Sequence, residues 1–184
     1  MIADKFVGVS HNGLKSTVDV RDVRSETLLR AETLVKSMYE EAFKECLLDL
    51  GVRSYYEPFH LWVGPYHGRE LTYTPDFLTD LSLNGRHVLL EPHPLRLSKH
   101  NRIHNDLSKF ERFKLRYGKE FYFVLASDMD YDVIHHRSRM SLSKFSDEYW
   151  EIPHIWQDDT GWLCKQQVKE TVHSRLEMLL RKAR

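Results

Sequence analysis

Two short motifs carry acids at positions where a strand is expected to carry apolar residues. Asp76 lies in the string YTPDF (residues 73–77), and Glu91 lies in the string EPH (residues 91–93). Between them, Asn84-Gly85 favours positive φ at both positions, as a two-residue type I′ hairpin turn requires. The sequence therefore predicts one hairpin whose two strands each contribute a carboxylate.

The register of this hairpin decides whether the acids meet. If Leu83 and Arg86 pair across the turn, Asp76 lies opposite His93 and diagonal to Glu91. All three then share one face, because side chains repeat every second residue. Two carboxylates above a buried sheet repel each other and lose hydration, so they usually need a cation, and we expect a divalent metal site. The opposite face is predicted to belong to the core, through Tyr73, Phe77, Leu81, Val88 and Leu90.

A metal site of this kind can hydrolyse a phosphodiester. One or two Mg²⁺ ions can activate water, neutralise the scissile phosphate and assist the leaving oxygen. Asp76 and Glu91 supply two ligands, and the carbonyl of Pro92 is a third if it turns towards the site. A further acid is expected from the preceding helix, where Glu40 and Glu41 are the two candidates and Glu41 lies nearer the apolar face.

This arrangement resembles the PD-(D/E)XK nuclease superfamily, and within it the TnsA-like transposon endonucleases most closely. The resemblance runs from about residue 37 to residue 126, and the order, spacing and element type of its motifs agree. The family spacing favours Glu40 over Glu41. The matching strings are SMYE (37–40), YEP (56–58), YTPDFL (73–78), VLLEPH (88–93), KFERFK (109–114) and FYF (121–123).

The resemblance implies an α/β fold with a restriction-endonuclease-like αβββαβ core, in which a mixed central sheet is flanked by helices, plus a C-terminal helical extension. It implies a metal-dependent DNA endonuclease that uses Mg²⁺ or Mn²⁺, with Asp76, Glu91 and Glu40 as ligands. The family carries lysine where this chain carries His93. Histidine can orient water or the phosphate but is only partly charged near neutral pH. Lys99 or Lys109 is therefore an alternative source of the positive charge that the family's lysine provides.

The charges are segregated along the chain, although the net charge is zero. Residues 96–119 contain eight Lys or Arg and two acids, whereas residues 120–160 contain nine acids and three bases. Such segregation suits a basic surface that binds phosphates, although solvated helix faces often show the same charge pattern. We expect Lys99, Arg102, Lys109 and Arg112 to contact DNA. The expected protein partner is a second copy of the chain or a transposase or recombination protein.

The apolar pattern predicts the elements that position these residues. A long helix is expected from a Ser25 cap to about Leu50, ending at Gly51, followed by a strand over residues 53–63 with Pro58 at an edge or bulge. After the hairpin, a helix capped by Ser98 leads to Gly118. Phe121–Ala126 is expected to be a buried strand of a parallel crossover. Residues 166–183 predict a closing amphipathic helix.

Several other residues have a stronger structural than functional interpretation. His100 and His104 have helical metal-ligand spacing without an evident third ligand, and His135-His136 is expected at the surface. Cys46 falls in an apolar stripe and is expected in the core. Three tryptophans recur every six residues and are expected to cover a core or a subunit contact rather than to stack on bases: Trp150, Trp156 and Trp162.

The 184 residues fit one domain, with a core over about residues 25–127 and an extension over about 128–184. No apolar run approaches the ~20 residues that span a bilayer, and no signal-peptide pattern is present, so a cytoplasmic protein is expected, in the host cell if it is viral.

Two rivals to the nuclease remain: a DNA-binding or structural protein that kept the fold and lost cleavage, and a metal hydrolase of a smaller phosphoester.

Overall fold

The computed structural model describes residues 5–9, 15–19, 27–66, 68–95, 102–154 and 163–183. Nine strands and five helices lie in these ranges. The strands are β1 Lys5–Val9, β2 Lys15–Asp19, β3 Ser54–Tyr56, β4 Leu61–Tyr66, β5 Arg69–Tyr73, β6 Phe77–Leu83, β7 Arg86–Pro92, β8 Phe121–Ser127 and β9 Glu148–Glu151. The helices are α1 Met38–Asp49, α2 Arg102–Tyr117, α3 Tyr131–Ser138, α4 Leu142–Phe145 and α5 Leu163–Ala183.

A mixed five-stranded sheet in the order β3-β6-β7-β8-β9 forms the centre of the fold. β3, β6 and β7 pair antiparallel, whereas β7, β8 and β9 pair parallel. The predicted α/β architecture with a mixed sheet flanked by helices is thus confirmed. The expected parallel crossover is confirmed as well, because α2 connects β7 to its parallel neighbour β8.

Both faces of the sheet are covered by apolar side chains. On one face, α1 and α5 pack against residues of β6, β7 and β8; on the other, α2 packs with α4 and the β4–β5 hairpin. Cys46 of α1 and Trp150 of β9 are buried on the α1–α5 face, as predicted for both. His135 and His136 are exposed, which is also as predicted. Trp156, Trp162 and His100 lie outside the described residues, as does the side chain of His104.

The N-cap of helix α1 lies twelve residues later than the apolar stripe predicted, so the expected cap at Ser25 is wrong. Leu28 instead forms a bridge with Tyr55, and the amide of Leu29 donates to the carbonyl of Ser54, so this segment lies extended beside β3. Ser37 is the N-cap, and its hydroxyl accepts from the amide of Glu40. The C-terminal stop at Gly51 is confirmed, with φ of +64°.

The predicted hairpin exists, but its register differs from the expected one. Asn84 and Gly85 have φ of +52° and +75°, and Leu83 pairs with Arg86, as predicted. Further along, a bulge in β6 shifts the register by two residues, so that Phe77 pairs with Leu90. Asp76, the residue before Phe77, is then level with Glu91. The prediction that Asp76 lies opposite His93 is therefore wrong.

A buried threonine explains the bulge. The hydroxyl of Thr79 donates to the carbonyl of Val88 at 3.1 Å and accepts from the amide of Leu81 at 3.3 Å. The amide of Asp80 donates to the carbonyl of Arg53, the residue immediately before the neighbouring β3. The polar groups of the extra residues are therefore satisfied within the sheet. A shift of two residues preserves the alternation of faces, so Asp76 keeps the side of Glu91.

Two further expectations about strands are corrected. The strand predicted over residues 53–63 is divided into β3 and β4, because Glu57 turns the chain with a φ of +45° immediately before Pro58. Tyr73 ends β5 and is separated from β6 by Thr74-Pro75-Asp76, so it does not share the core face of Phe77. Tyr73 instead packs on the α2 face of the sheet.

The segment after residue 128 contributes more than the predicted helix. β9 extends the sheet parallel to β8, and α5 confirms the closing helix that was expected over residues 166–183. No helix in the described ranges combines the length and apolarity that crossing a membrane demands.

Asp147, immediately before β9, joins three elements through one carboxylate. Its Oδ1 lies 3.0 Å from both Arg86 Nη1 and Lys114 Nζ, and its Oδ2 accepts from the amide of Phe123 at 2.9 Å. All three charged side chains are largely buried, with exposed fractions of 13–20%. The network fixes α2 and β9 relative to the sheet.

Asp147→Ala is expected to destabilise the fold by about 3–5 kcal/mol, because it leaves two largely buried cations without their shared anion. Chemical denaturation measures this loss of unfolding free energy. Asp132→Ala, at an exposed position on α3, is the matched control and should stay within about 0.5 kcal/mol of the wild type. Equal stability of the two variants would contradict the role given to Asp147.

Candidate metal centre

The ends of the strands bring the predicted acids to one edge of the sheet. β6 begins at this edge just after Asp76, whereas β3 and β7 run towards it and end at Tyr56 and Pro92. The parallel strands β8 and β9 end at the same edge. Helix α1 contributes Glu40 from its first turn. Residues from separate parts of the sequence therefore converge here because of the sheet topology.

Asp76 and Glu91 are held together by a direct contact. The amide of Asp76 donates to Glu91 Oε2 at 3.2 Å, and the hydroxyl of Tyr73 donates to the same oxygen at 2.5 Å. Glu91 is 3% exposed, so its carboxylate is orientated by these two donors rather than by water. The predicted convergence of these two residues is therefore observed, with a closer pairing than the sequence indicated.

The electrostatics of this pair are unfavourable to two negative charges. The pKa of Asp76 is raised far above its usual value, first by loss of hydration and then by the charges of Glu91, Glu40 and Glu57. The pKa of Glu91 is also raised, mainly by burial, against the opposing effect of Lys109. Without a cation, protons therefore stay on these carboxyls, and a divalent ion would displace them.

Glu40, rather than Glu41, is the helix acid that belongs to this cluster. Glu40 Oε2 accepts from the hydroxyl of Tyr56 at 2.6 Å and from the amide of Lys36 at 2.9 Å. Its charge is one of those that raise the pKa of Asp76. Glu41 instead pairs with Lys44, with 2.9 Å between Oε1 and Nζ. The two hydrogen bonds fix Glu40 at the N-terminus of α1.

Pro92 is the last residue of β7, where its missing N–H costs no ladder bond. The amides of His87 and His93 both donate towards β8, so odd-numbered residues of β7 face that strand. Pro92 therefore faces the side of β6, whose pairing with β7 has already ended at Leu90. By the same alternation its carbonyl is directed to the side from which Asp76 enters, as a third oxygen ligand requires.

Lys109 of α2, one of the two lysines suggested as alternatives to His93, influences the acid pair through its charge. Lys109 Nζ lies 5.2 Å from the centre of the Tyr73 ring and 5.0 Å from that of Phe110. Its charge lowers the pKa of both Asp76 and Glu91. Of the two lysines suggested, Lys109 therefore interacts electrostatically with Asp76 and Glu91. Lys99 lies outside the described residues.

His93 is placed between two carboxylates. Its Nδ1 lies 3.9 Å from Glu91 Oε1, and its Nε2 lies 3.2 Å from Asp106 Oδ2 on α2. The ring also contacts Phe110 edge-on, at 5.3 Å between ring centres. Asp106 was not recognised from sequence, because its approach depends on how α2 packs over β7.

Glu57 is a further acid that the sequence motif contained but did not identify as part of the site. Its φ of +45° is left-handed, which is costly for a residue other than glycine and is disfavoured before proline. Its amide donates to the carbonyl of Asp76 at 2.9 Å, and its carboxylate pairs with Lys36. The strained turn therefore fixes the backbone of Asp76, and such strain is concentrated at functional sites.

The other expected DNA contacts are only partly described. Arg102 is the first residue of α2, but its side chain lies outside the described part. Arg112 Nη1 donates to the carbonyl of Pro65 at 2.8 Å, and the Arg116 guanidinium lies 4.0 Å from the centre of the Trp62 ring. This side of α2 therefore holds the β4–β5 hairpin, and a DNA contact by Arg112 stays a prediction.

The donor atoms are of the kind that a hard divalent ion binds, but they do not form a complete coordination shell. In the part of the chain with described side chains, no three His, Cys, Asp or Glu residues are grouped as a complete metal-binding set. The oxygens of Asp76 and Glu91 with raised pKa values are nevertheless the ligands that Mg²⁺ and Mn²⁺ prefer, and such sites are commonly completed by water and substrate phosphate.

Asp76→Asn is expected to stabilise the metal-free protein at pH 8 by on the order of 1 kcal/mol, or about 2–4 °C in Tm. In the unfolded chain this carboxyl ionises near pH 4, whereas the fold retains its proton, so the wild type loses stability as pH rises from about 4. The gain should vanish towards pH 4. Thermal unfolding across this range measures it, and a gain independent of pH would contradict the cause.

Mn²⁺ is expected to raise the Tm of the wild type, and more at pH 8 than at pH 6, because protons compete for the ligands. A free concentration of about 100 Kd should stabilise by about 2.7 kcal/mol. Asp76→Asn and Glu91→Gln should each abolish the shift, whereas Asp132→Asn should retain it. The same shift in all four proteins would place the ion elsewhere.

No protein-family model, curated protein or solved structure matches the chain.

Proposed function

We propose that the protein is a metal-dependent endodeoxyribonuclease of the PD-(D/E)XK type, which uses Mg²⁺ or Mn²⁺. The observation that carries the proposal is the hydrogen bond from the Asp76 amide to the Glu91 carboxylate, which brings together two buried carboxyls that are both destabilised as anions. Replacing these two buried carboxyls by apolar residues would stabilise a fold that had no other use for them. Binding of a cation is therefore the simplest explanation for the presence of the pair.

The order of the elements supports a restriction-endonuclease-like core. α1, β3, β6, β7, α2 and β8 follow the αβββαβ order, with the β4–β5 hairpin inserted between the first and second strands. The acids occupy α1, the start of the second core strand and the end of the third. Glu40 reaches the same edge from the helix, although it lies far from both motifs in sequence.

The bound ion would polarise the scissile phosphate and activate water, with Asp76, Glu91, Glu40 and the Pro92 carbonyl as its protein ligands, directly or through water. Lys109 supplies the positive charge that the family carries on β7, and it is positioned to steady the phosphate or the attacking water. Its ammonium lies 5.2 Å from the centre of the Tyr73 ring, and its charge lowers the pKa of both acids. His93, held by Asp106, orients the same groups from the strand side.

The expected substrate is DNA, contacted by basic residues of the segment 96–119, in mobile-element, phage or viral DNA processing. Cutting both strands of a duplex needs two sites, which a homodimer or a transposase or recombination partner would provide. Such a role places the protein inside a cell, the host cell if it is viral.

Plasmid DNA incubated with Mg²⁺ or Mn²⁺ is expected to be nicked by the wild type. Asp76→Ala and Glu91→Ala should each lose activity by about 10³-fold or more, since each removes a ligand of the ion that does the chemistry. Lys109→Ala should lose about 10²-fold, with Lys109→Arg recovering part of it. Arg137→Ala, at an exposed position on α3, is the control and should cut normally.

The outcomes separate the proposed enzyme from its rivals. Absence of nicking with either metal, together with salt-sensitive DNA binding, would support a binding module that has lost cleavage. Hydrolysis of a nucleotide analogue without such binding would point to a hydrolase of a smaller phosphoester. Nicking that survives both Asp76→Ala and Glu91→Ala would overturn the assignment of the site.

A further inference from the structure

A histidine–aspartate pair lies at the same edge of the sheet, outside the candidate metal centre. Asp128 follows β8, and its side chain is only 7% exposed. His154 follows β9, its Nδ1 lies 2.5 Å from Asp128 Oδ2, and its side chain is 60% exposed. One ring nitrogen is thus held by a buried acid, while the imidazole remains open to solvent.

A tyrosine of α1 orientates the acid of this pair. The hydroxyl of Tyr39 donates to Asp128 Oδ2 at 3.1 Å, the same oxygen that contacts His154. Tyr39 directly precedes Glu40, whose carboxylate belongs to the metal-centre cluster. The first turn of α1 therefore places one side chain at each of the two groups.

The sheet register places the pair beside the acids. β7, β8 and β9 are parallel, Pro92 pairs with Ala126, and Ser127 pairs with Glu151, so all three strands end together. Neighbouring strands are about 4.8 Å apart, and β9 is therefore about 10 Å from β7. A nucleotide with its flanking phosphate groups spans such a distance.

A purely structural role does not account for the exposure of His154. A buried carboxylate needs a partner, but the hydroxyl of Tyr39 already donates to Asp128. A histidine that served only to satisfy this acid would be expected to pack against the fold. An imidazole that is orientated through Nδ1 and open at Nε2 is instead the arrangement that proton transfer requires.

We propose that His154, orientated by Asp128, is a catalytic residue that protonates the leaving sugar oxygen; this rests on the proposed endonuclease function. The oxygen of water forms a bond to phosphorus and releases one proton to solvent, and the bond from phosphorus to the leaving oxygen breaks. The proton on Nε2 of the imidazolium passes to that oxygen, and the neutral imidazole regains a proton from solvent. Asp128 stabilises the imidazolium and fixes the ring nitrogen that faces the substrate.

His154→Ala and His154→Gln are expected to lower single-turnover cleavage by about 10²–10⁴-fold, the usual contribution of a general acid. DNA binding in Ca²⁺, measured by fluorescence anisotropy, should be unchanged, and added imidazole should partly restore His154→Ala. Asp128→Asn should reduce cleavage in the same direction. His136→Ala, at an exposed position on α3, is the control and should cut like the wild type.

A modified substrate separates proton donation from positioning. In a duplex whose leaving oxygen, identified from the product ends, is replaced by sulfur, the leaving group needs no proton. Both His154 variants should then cut within about tenfold of the wild type, since the contribution of general acid catalysis disappears. An equal loss on both substrates, or wild-type cleavage of normal DNA by both variants, would overturn the proposal. Absence of cleavage by the wild type itself would instead refute the endonuclease function.

Discussion

The repulsion between Asp76 and Glu91 is the constraint on which the candidate site depends. Their contact takes place where β6 enters the sheet and β7 leaves it, and burial removes the water that would otherwise screen them. Lys109 offsets only part of this charge. A site with this imbalance keeps protons well above the pH at which a free carboxyl loses them, and a multivalent cation can take their place.

The surrounding fold holds the two carboxyls near each other despite the repulsion between their charges. The bulge at Thr79 sets the register that brings Asp76 level with Glu91, and Tyr73 restrains Glu91 from the α2 face. The left-handed turn at Glu57 holds the backbone of Asp76 from the other side. Stability is supplied elsewhere, by two apolar faces of the sheet and by the Asp147 network. The site can therefore be strained without loss of the fold.

Local sequence signals predicted the elements whose causes are local. Asn84-Gly85 determines a tight turn, the apolar run of β8 indicates burial on both faces, and the stripe of α5 indicates a closing helix. The acids Asp76 and Glu91 could be chosen for the same reason, since they interrupt an apolar pattern.

The remaining features depend on contacts between distant parts of the chain. The bulge is stabilised by the carbonyls of Val88 on β7 and of Arg53 just before β3, so the sequence of β6 alone does not reveal it. The early start predicted for α1 failed because an apolar stripe also suits an extended segment packed beside β3. Asp106 and Lys109 reach the site only through the packing of α2, and Asp128 and His154 meet only because β8 and β9 are neighbours.

A crystal structure of the protein soaked with Mn²⁺, with anomalous diffraction recorded at the manganese edge, tests the central claim most directly. The account predicts an anomalous peak within bonding distance of carboxylate oxygens from both Asp76 and Glu91. A saturated soak with no peak at this edge of the sheet, or with manganese bound only at another place, would contradict it.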